Sequence, residues 1–171
     1  MYLKLIEPTI GLEKAYSSYI SEWEDTGEKI VPFASRRNNL NYIELLENWR
    51  NDKTDQVYEQ GFVPSTIYFL IDETNKIYGA LHFRHHLNDY LLKTGGHIGY
   101  GIRQSERQKG YAGKMLSLAL PIAKQLGLDR VLITCDKDNT GSAKTIIKNG
   151  GVFENEIYEA EEITQRYWIE L

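Results

Sequence analysis

Residues 105–114, Ser-Glu-Arg-Gln-Lys-Gly-Tyr-Ala-Gly-Lys, combine two glycines with three cationic side chains at the junction of two predicted elements. They follow an extended stretch, residues 97–103, and begin a segment with helical spacing. A strand that ends at a glycine-containing turn leaves main-chain N–H groups without partners, and the following helix adds a partial positive charge at the same point. We therefore interpret residues 105–114 as a candidate site for a diphosphate.

Two common phosphate-binding motifs do not describe this turn. It lacks the Gly-Lys-Ser/Thr ending of a P-loop and the Gly-x-Gly-x-x-Gly of a dinucleotide site. The pattern that remains is Arg-x-x-Gly-x-Ala over residues 107–112. It resembles the acyl-coenzyme-A loop of the GNAT family of N-acetyltransferases, whose signature is Gln/Arg-x-x-Gly-x-Gly/Ala between a strand and a helix.

The resemblance implies which residues contact acetyl-CoA. Main-chain N–H groups of residues 108–114 are expected to hold the diphosphate, and Arg107 or Lys109 to add charge-assisted hydrogen bonds. A strand N–H near residues 101–103 is expected to polarise the thioester carbonyl, as the corresponding strand does in the family. The predicted cofactor-binding residues are Gly101, Ile102, Arg103, Arg107, Gln108, Lys109, Gly110, Tyr111, Ala112, Gly113, Lys114, Asn139 and Ser142.

A second segment, Asn139 to Ser142 followed by Lys148 and Gly150, resembles the second GNAT signature, Asn-x-x-Ala/Ser-x-x-Leu-Tyr-x-Lys-x-Gly-Phe. In the family the asparagine commonly contacts the pantetheine arm of the cofactor. Asn139 also precedes a predicted helix and suits an N-cap. The two roles are compatible.

Two positions depart from this signature, because Ile146 stands at the tyrosine position and Gly151 at the phenylalanine position. In many family members the tyrosine is thought to protonate the departing thiolate, which isoleucine cannot do. General acid catalysis is typically worth about 10²–10⁴ in rate, so this loss need not abolish activity. Another hydroxyl can substitute, and the candidates are Tyr100, Tyr111 and Tyr158, of which Tyr100 enters the predicted catalytic set.

The need for a general base depends on the acceptor. A lysine amine with a pKa of about 10.4 is almost fully protonated at pH 7, whereas an α-amino group with a pKa of about 7.8 is already partly neutral. His97 is the predicted base, because it begins the strand before the cofactor loop, close to where many family members carry a catalytic glutamate. The alternative is a strand-end histidine that bonds a backbone carbonyl.

A cluster of basic side chains lies on a predicted strand further upstream. His82, Arg84 and His86 share one face by the alternation of side chains, and His85 points to the other. The cluster suits recognition of a carboxylate-bearing substrate, or it is a solvated edge. A metal site is disfavoured, because no Asp, Glu or Cys ligand lies at a convincing spacing.

The predicted acceptor-binding residues are Arg84, His86 and Asn88. We expect the acceptor pocket to form from the irregular segments 25–38 and 51–65 together with Arg84, Asn88 and the last hairpin. No metal is expected there.

The remaining pattern is that of one α/β (α+β) domain over residues 1–171. Helical spacing predicts helices over residues 12–23, 40–49, 112–126 and 139–149, with a kink at Pro121 in the third. Strands are predicted at residues 2–7, 66–72, 76–84, 97–103, 130–135, 152–158 and 163–171. The order β-α-α-β-β-β-α-β-α-β-β is the arrangement that GNAT domains show. It implies a mixed central sheet of about seven strands flanked by about four helices.

Composition excludes several classes of protein. The formal net charge of −4 and the absence of a lysine/arginine run argue against nucleic acid as the main partner. No apolar run approaches the roughly 20 residues of a membrane span, and residues 1–7 do not suit a signal peptide, so we expect a cytoplasmic protein. Cys135 ends an apolar run and is interpreted as a buried filler without chemistry. Exposed strand edges make a homodimer plausible.

The two motifs together predict an acetyl-CoA-dependent N-acetyltransferase that acts on a primary amine of a small molecule, amino acid or peptide. Two alternatives stay open at this point. Ile146 favours an acyl-CoA-binding domain that no longer catalyses and regulates a partner, and residues 109–110 are also compatible with an ordinary turn that binds no cofactor.

Overall fold

The computed structural model describes residues 2–171. Its helices and strands follow the predicted order and confirm the predicted fold class. They are β1 (Lys4–Ile6), α1 (Glu13–Thr26), α2 (Tyr42–Asn51), β2 (Ser65–Ile71), β3 (Ile77–Arg84), β4 (Ile98–Ile102), α3 (Tyr111–Gln125), β5 (Arg130–Asp136), α4 (Thr140–Lys148), β6 (Val152–Glu159) and β7 (Glu162–Glu170). Short helical turns interrupt the connections, among them Phe33–Ser35 and Asp55–Gln60.

The strands form two sheets, and the predicted central sheet is therefore split. One sheet has the antiparallel order β1-β2-β3-β4, and the other has the order β5-β7-β6. The two meet where β4 and β5 begin: the His97 N–H donates to the Leu132 carbonyl at 2.7 Å, and the Leu132 N–H donates to His97 Nδ1 at 2.9 Å. Beyond this joint β4 and β5 are not paired, so a fork opens toward their carboxyl ends.

Helices α1 and α2 cover one face of the first sheet. Tyr16 lies 5.6 Å from Trp49 and 5.9 Å from Phe69, between ring centroids, in an aromatic core beneath both helices. In α2 the side chains of Tyr42, Leu45, Leu46 and Trp49 face the core, and Ile43 is 58% exposed. Helix α2 begins in a capping box between Asn41 and Glu44, which satisfies two N–H groups at its start.

Helices α3 and α4 pack on the opposite side, against a second core shared by both sheets. Met115, Leu116 and Ala123 of α3 are fully buried there, as is Ile146 of α4. Helix α3 continues past Pro121 to Gln125. The two helices thereby present their first turns to the mouth of the β4–β5 fork. No helix within residues 2–171 is long and apolar enough to cross a membrane.

Candidate active site

A cleft of about 540 Å³ occupies the fork between β4 and β5. It is bounded by β4, the loop that follows it, the first turns of α3 and α4, and the segment after α1. The lining residues are Trp23, Glu28, Lys29, Val31, Tyr100, Gly101, Ile102, Glu106, Arg107, Gln108, Gly110, Tyr111, Ala112, Gly113, Asn139, Gly141, Ser142 and Thr145. Most of the predicted cofactor-binding residues are therefore brought together in one cleft.

Six consecutive main-chain N–H groups, those of residues 108–113, have no hydrogen-bond acceptor among the described residues. The first N–H of α3 with a helical partner is that of Lys114, which donates to the Gly110 carbonyl at 3.1 Å. Unpaired N–H groups at a helix N-terminus, together with the helix dipole, form an anion site. The loop has this geometry without any contribution from side chains.

The backbone of this loop depends on two left-handed residues. Gln108 has φ 61° and Gly110 has φ 84°. An added Cβ at Gly110 would meet no atom within 4 Å, so conformation and not lack of space favours glycine there. Successive N–H groups around residues of this conformation form a concave anion-binding nest.

The two predicted cations of the loop are engaged with acidic residues. Arg107 donates through Nη2 to Glu28 at 2.6 Å and through Nε to the Ile102 carbonyl at 3.0 Å. Lys109 Nζ lies 3.0 Å from Glu106, whose carboxylate also pairs with Lys76. These two lysines hold the pKa of Glu106 below its usual range. Neither predicted cation is therefore free for a ligand in this structure.

Two other lysines flank the cleft without a partner. Lys29 lines it directly, and Lys114 lies in the first turn of α3. The side-chain amine of neither lysine makes a hydrogen bond or ion pair within residues 2–171.

Strand β4 presents part of its main chain to the cleft. The Arg103 N–H donates to the Tyr78 carbonyl, and the Arg84 N–H donates to the His97 carbonyl. Because an antiparallel pair alternates hydrogen-bonded and non-bonded residues, Gly101 and Arg103 direct their N–H groups toward β3. Tyr100 and Ile102 direct theirs toward β5 and the cleft. Within the predicted range of residues 101–103, the available N–H is therefore that of Ile102.

The Arg103 side chain also faces away from the cleft. Its Nε donates to Glu22 at 2.7 Å, Nη1 to the Ile77 carbonyl and Nη2 to the Ser18 carbonyl. The buried guanidinium of Arg103 thus ties α1 to the sheet. Arg103 is thus an exception among the predicted cofactor-binding residues, and its role is to position β4.

Gly101 is needed for close packing over β4. A Cβ at this position would lie 2.2 Å from the Val31 carbonyl oxygen and 2.8 Å from Val31 Cγ2. Residues 31–33 can therefore cross β4 in direct contact with its backbone.

Tyr100 projects from β4 to the first turn of α4. Its hydroxyl lies 2.9 Å from Ser142 Oγ, and Thr145 lines the same part of the cleft. Burial raises the pKa of Tyr100 to about 12, so the hydroxyl stays protonated at physiological pH. Asn139 caps α4 by accepting the Ser142 N–H at 3.0 Å, which confirms the predicted cap.

The other tyrosine candidates and Ile146 occupy different positions. Tyr158 is 67% exposed, and its hydroxyl donates to Glu156 on the last hairpin. Tyr111 lines the cleft, with its ring 4.6 Å from that of Tyr78. Ile146 is fully buried and packs beside Gly151. The hydroxyl placed deepest between β4 and α4 is therefore that of Tyr100.

The prediction of His97 as the base is contradicted. His97 is 5% exposed, and its Nδ1 already accepts the Leu132 N–H at the joint of the two sheets. Burial lowers the pKa of His97 to about 4. Its ring borders Trp168 at the closed end of the fork, outside the cofactor cleft. His97 joins the sheets, which is a structural role like the alternative, although its ring accepts a main-chain N–H where the alternative had it bond a carbonyl.

The basic cluster at the end of β3 is also divided. His82 and Arg84 line a second cavity of about 620 Å³, whereas His86 lies outside it and bonds the Tyr58 hydroxyl through Nε2 at 2.9 Å. The chain bends after Arg84, so the alternation of the strand does not extend to His86. Asn88 lines the second cavity, and its Oδ1 accepts the Leu91 N–H.

The second cavity lies between α2 and the end of β3, where the acceptor pocket was expected. Its walls come from residues 33–40, α2, residues 56–65 and β3, and the last hairpin, which was predicted to contribute, is absent from its lining. Several lining residues have no signal in the sequence, because they belong to irregular segments or to the inner face of α2. They are Arg36, Asn38, Asn48, Asp52, Gln56, Gln60 and Phe62.

The chain belongs to the GNAT acetyltransferase family, because the family model described as an acetyltransferase (GNAT) domain matches residues 12–152. Its reaction class is thus acetyl-CoA-dependent N-acetylation, as the two motifs predict, and the enzyme is an N-acetyltransferase. A comparison with curated proteins found no match.

Solved acetyltransferases share the fold. RimL, a ribosomal L7/L12 alpha-N-protein acetyltransferase in complex with coenzyme A, has a TM-score of 0.70 at 16% identity, over 99% of this chain and 94% of that chain. A spermidine N-acetyltransferase SpeG chimera from Vibrio cholerae and hSSAT has a TM-score of 0.67 at 15% identity, over 99% and 96%. Ribosomal-protein-S5-alanine acetyltransferase from Vibrio fischeri has a TM-score of 0.68 at 15% identity, over 99% and 93%.

Proposed function

We propose that the β4–β5 cleft of this chain binds acetyl-CoA and that the acetyl group is transferred to a primary amine of a small molecule, amino acid or peptide. The observation that carries the proposal is the row of six unpaired N–H groups at residues 108–113. A main-chain site of this kind fits a diphosphate, whose oxygens accept several hydrogen bonds at once. RimL, which shares the fold, is described in complex with coenzyme A.

Different residues of the cleft bind different parts of the donor. The N–H groups of residues 108–113 hold the diphosphate, and Lys29 and Lys114 supply positive charge beside it. Asn139 and Gly141 border the path of the pantetheine arm along α4. Arg107 contributes charge once its contact with Glu28 opens, which a half-exposed pair permits at little cost.

Bound acetyl-CoA supplies an acetyl group activated as a thioester. The acceptor nitrogen forms the new C–N bond, the C–S bond breaks, coenzyme A leaves as its thiolate, and the amine loses a proton. The Ile102 N–H, which faces the cleft, donates to the carbonyl oxygen as its negative charge increases. The Tyr100 hydroxyl donates a hydrogen bond to the leaving sulfur and takes the part of the tyrosine that Ile146 replaces.

The amine reaches the reaction in its neutral form by losing its proton to solvent. The two carboxylates that line the cleft, Glu28 and Glu106, are both paired with cations. Glu106 is a weak base, because Lys76 and Lys109 hold its pKa below its usual range. The acceptor's own pKa then governs how much reactive amine is present.

The remaining inferences from the sequence stay predictions of the same proposal. They are the cytoplasmic location, the absence of nucleic acid as a partner, and the possible homodimer.

Calorimetric titration of the purified protein tests the proposal, with acetyl-CoA as ligand and ATP and NAD as anionic controls. We expect selective binding of acetyl-CoA, followed by turnover with at least one member of a panel of amines. A folded protein that does not bind acetyl-CoA would contradict it.

A further inference from the structure

We propose that the second cavity, between α2 and the end of β3, binds an acceptor amine that carries a carboxylate, and that Arg84 binds this carboxylate. The inference rests on the proposed function and names the substrate class of the acceptor site. It is carried by the hydrogen bonding of Arg84, by its distance from β4 and by the charges that line the cavity.

Arg84 is a half-buried cation without an acidic partner. Its Nη1 donates to the carbonyl oxygens of Gly95 at 3.0 Å and Gly96 at 3.2 Å. The Nε and Nη2 donors have no partner within residues 2–171, and no described carboxylate lies within 4.0 Å of the guanidinium. Burial lowers the pKa of Arg84, as expected for a cation that lacks a counter-charge. Pairing with a carboxylate would offset the cost of burying this charge.

The free donors of Arg84 have the geometry of a carboxylate site. Nε and Nη2 form one edge of the planar guanidinium and bind two carboxylate oxygens side by side. A lysine cannot reproduce this paired geometry. The partner that Arg84 lacks within the protein is therefore a carboxylate from a ligand.

The position of Arg84 places such a ligand next to the reaction. Nη1 and Nη2 lie 3.8 and 3.9 Å from the point where a Cβ on Gly99 would stand, and Pro32 Cβ lies 3.9 Å from the same point. Gly99 immediately precedes Tyr100 on β4, and Val31, next to Pro32, lines the cofactor cleft. A carboxylate on Arg84 would hold an amine one or two bonds away beside this stretch of β4, as in an α-amino acid.

The other charges in the cavity agree with an anionic group on the acceptor. The charged side chains that line it are Arg36, Asp52 and Arg84, which leaves an excess of one positive charge. Arg36 is occupied, because Nε and Nη2 both donate to the Ile30 carbonyl and its guanidinium stacks on Phe33 at 4.4 Å. Burial lowers the pKa of His82 to about 3, so His82 is neutral and adds no charge.

The size and walls of the cavity suit an amino acid with a side chain of moderate size. Its volume is about 620 Å³, and Trp49, Phe62 and Leu91 supply apolar surface. Amide side chains occupy much of the remaining lining. The carboxylate of the acceptor is thus held by charge, and its side chain is held by packing against the apolar walls.

The test uses matched pairs of amines that differ in the carboxylate alone, such as leucine with leucinamide and phenylalanine with phenylalaninamide. With saturating acetyl-CoA, we expect kcat/KM for the acid to exceed that for the amide at least about tenfold, from the charge-assisted pair. The amide has the lower amine pKa and hence more neutral amine, which acts against the expected result. An acid that reacts no better than its amide would overturn the inference.

Variants of Arg84 test whether this residue causes the preference for acids over amides. Arg84→Gln should raise KM for the acids and remove the preference over the amides, and Arg84→Lys should restore part of it. Arg50→Gln, an exposed arginine on α2 outside the cavity, is the matched control and should change neither value. A preference for acids that persists in a folded Arg84→Gln would overturn the inference. If Arg84→Gln does not fold, Arg84→Lys and the wild-type pairs decide, since lysine should weaken the preference.

Failure of the inference differs from failure of the proposed function. Loss of the acid preference with acetyl-CoA binding and turnover intact contradicts the carboxylate site alone. If acetyl-CoA does not bind, the proposed function fails. If no amine is acetylated, calorimetric titration of the coenzyme-A-loaded protein with each acid and amide decides, because binding of the acids alone supports the site and any other result overturns it.

Discussion

The two cavities beside β4 differ in the atoms that line them. The β4–β5 cleft presents main-chain N–H groups from residues 108–113 and from the open edge of β4, and the cations around its loop are tied to acids or lie at its margin. The cavity under α2 presents side chains, with Arg84 and Asp52 left without ionic partners. Residues 31–33 cross β4 between the two, in contact with Gly101.

This difference separates recognition of the donor, which is the same for every reaction of the enzyme, from recognition of its acceptor. A main-chain site recognises the constant diphosphate of the donor through backbone conformation, so many side chains are compatible with it. A side-chain site recognises an acceptor through a few charges, each of which can be changed by one substitution. Donor binding should therefore be sensitive to backbone conformation and acceptor binding to charge.

Gly110→Val should give the largest effect on the first cavity. The substitution forces a β-branched residue into a left-handed conformation, which shifts the loop and loses several charge-assisted hydrogen bonds. We expect the Kd for acetyl-CoA to rise about 10²–10⁴-fold, since two such bonds are worth about 3–6 kcal/mol.

Gly127→Val is the matched control for this change. Gly127 has φ 83° at the other end of α3, and a Cβ there also meets no atom within 4 Å. Both variants should lose about 1–3 kcal/mol of unfolding free energy from backbone strain, and acetyl-CoA binding should suffer in Gly110→Val alone. Equal affinities in the two variants would show that the loop does not bind the donor.

Tyr100→Phe should give the next effect, because it removes a side chain that acts inside the main-chain site. We expect kcat to fall about 10²-fold while the Kd for acetyl-CoA stays within about threefold of the wild type. Ser142→Ala removes the partner of the hydroxyl at 2.9 Å and should lower kcat by a smaller factor. An unchanged kcat in Tyr100→Phe would mean that the thiolate leaves without help from this residue.

A glycine turn between a strand and a helix is a local feature, so the sequence indicated most of the residues that line the main-chain cavity. Asn139 was likewise predicted to cap α4 from its position alone. The sequence could not show that Arg107 pairs with Glu28, because Glu28 lies 79 residues away along the chain and reaches Arg107 only through tertiary packing. The acid that pairs with Lys109 is Glu106, three residues before it, and was not considered as its partner.

The side-chain cavity was less predictable for the same reason. The two irregular segments and Arg84, named for the acceptor pocket, do contribute to its lining, but the last hairpin does not, and Asp52 carries no periodic signal at the end of α2. His97 was misassigned, because a sequence does not show that β4 and β5 separate after their first contact. His86 was misassigned, because the alternation of a strand was extended past its last residue.

The pH dependence of activity checks whether the cleft contains a base of its own. Since Glu28 and Glu106 are paired, we expect kcat/KM to rise about tenfold per pH unit up to the pKa of the acceptor amine. An acceptor with a lower amine pKa should shift this rising limb of the pH profile to lower pH. A limb with the same pKa for every acceptor would reveal a base on the enzyme.

His97→Ala provides the control for that profile. The pKa of His97 is lowered to about 4, so its neutral form stabilises the fold fully above pH of about 6.5 and progressively less as the pH falls toward 4. The variant should lose about 1–3 kcal/mol of unfolding free energy at pH 7, because the Leu132 N–H loses its buried acceptor. The pKa of the activity limb should stay where it is in the wild type.

Asp52→Asn should give the smallest effect, and it should raise the free energy of unfolding, whereas His97→Ala lowers it. Asp52 lies at the C-terminal end of α2, where the helix dipole disfavours a negative charge, and burial raises the pKa of its unpaired carboxyl. A carboxyl whose pKa is raised by folding stabilises the fold when protonated and loses that contribution as the pH rises through its pKa.

The Asp52→Asn substitution should therefore raise the free energy of unfolding at pH 7 by about 0.3–1 kcal/mol, and the gain should disappear below a pH of about 3. Chemical denaturation at several pH values measures it, with Glu47→Gln on the exposed side of α2 as the control that changes little. A loss of stability would mean that the carboxylate supports the end of α2. A gain would mean that the charge of Asp52 lowers the stability of the fold.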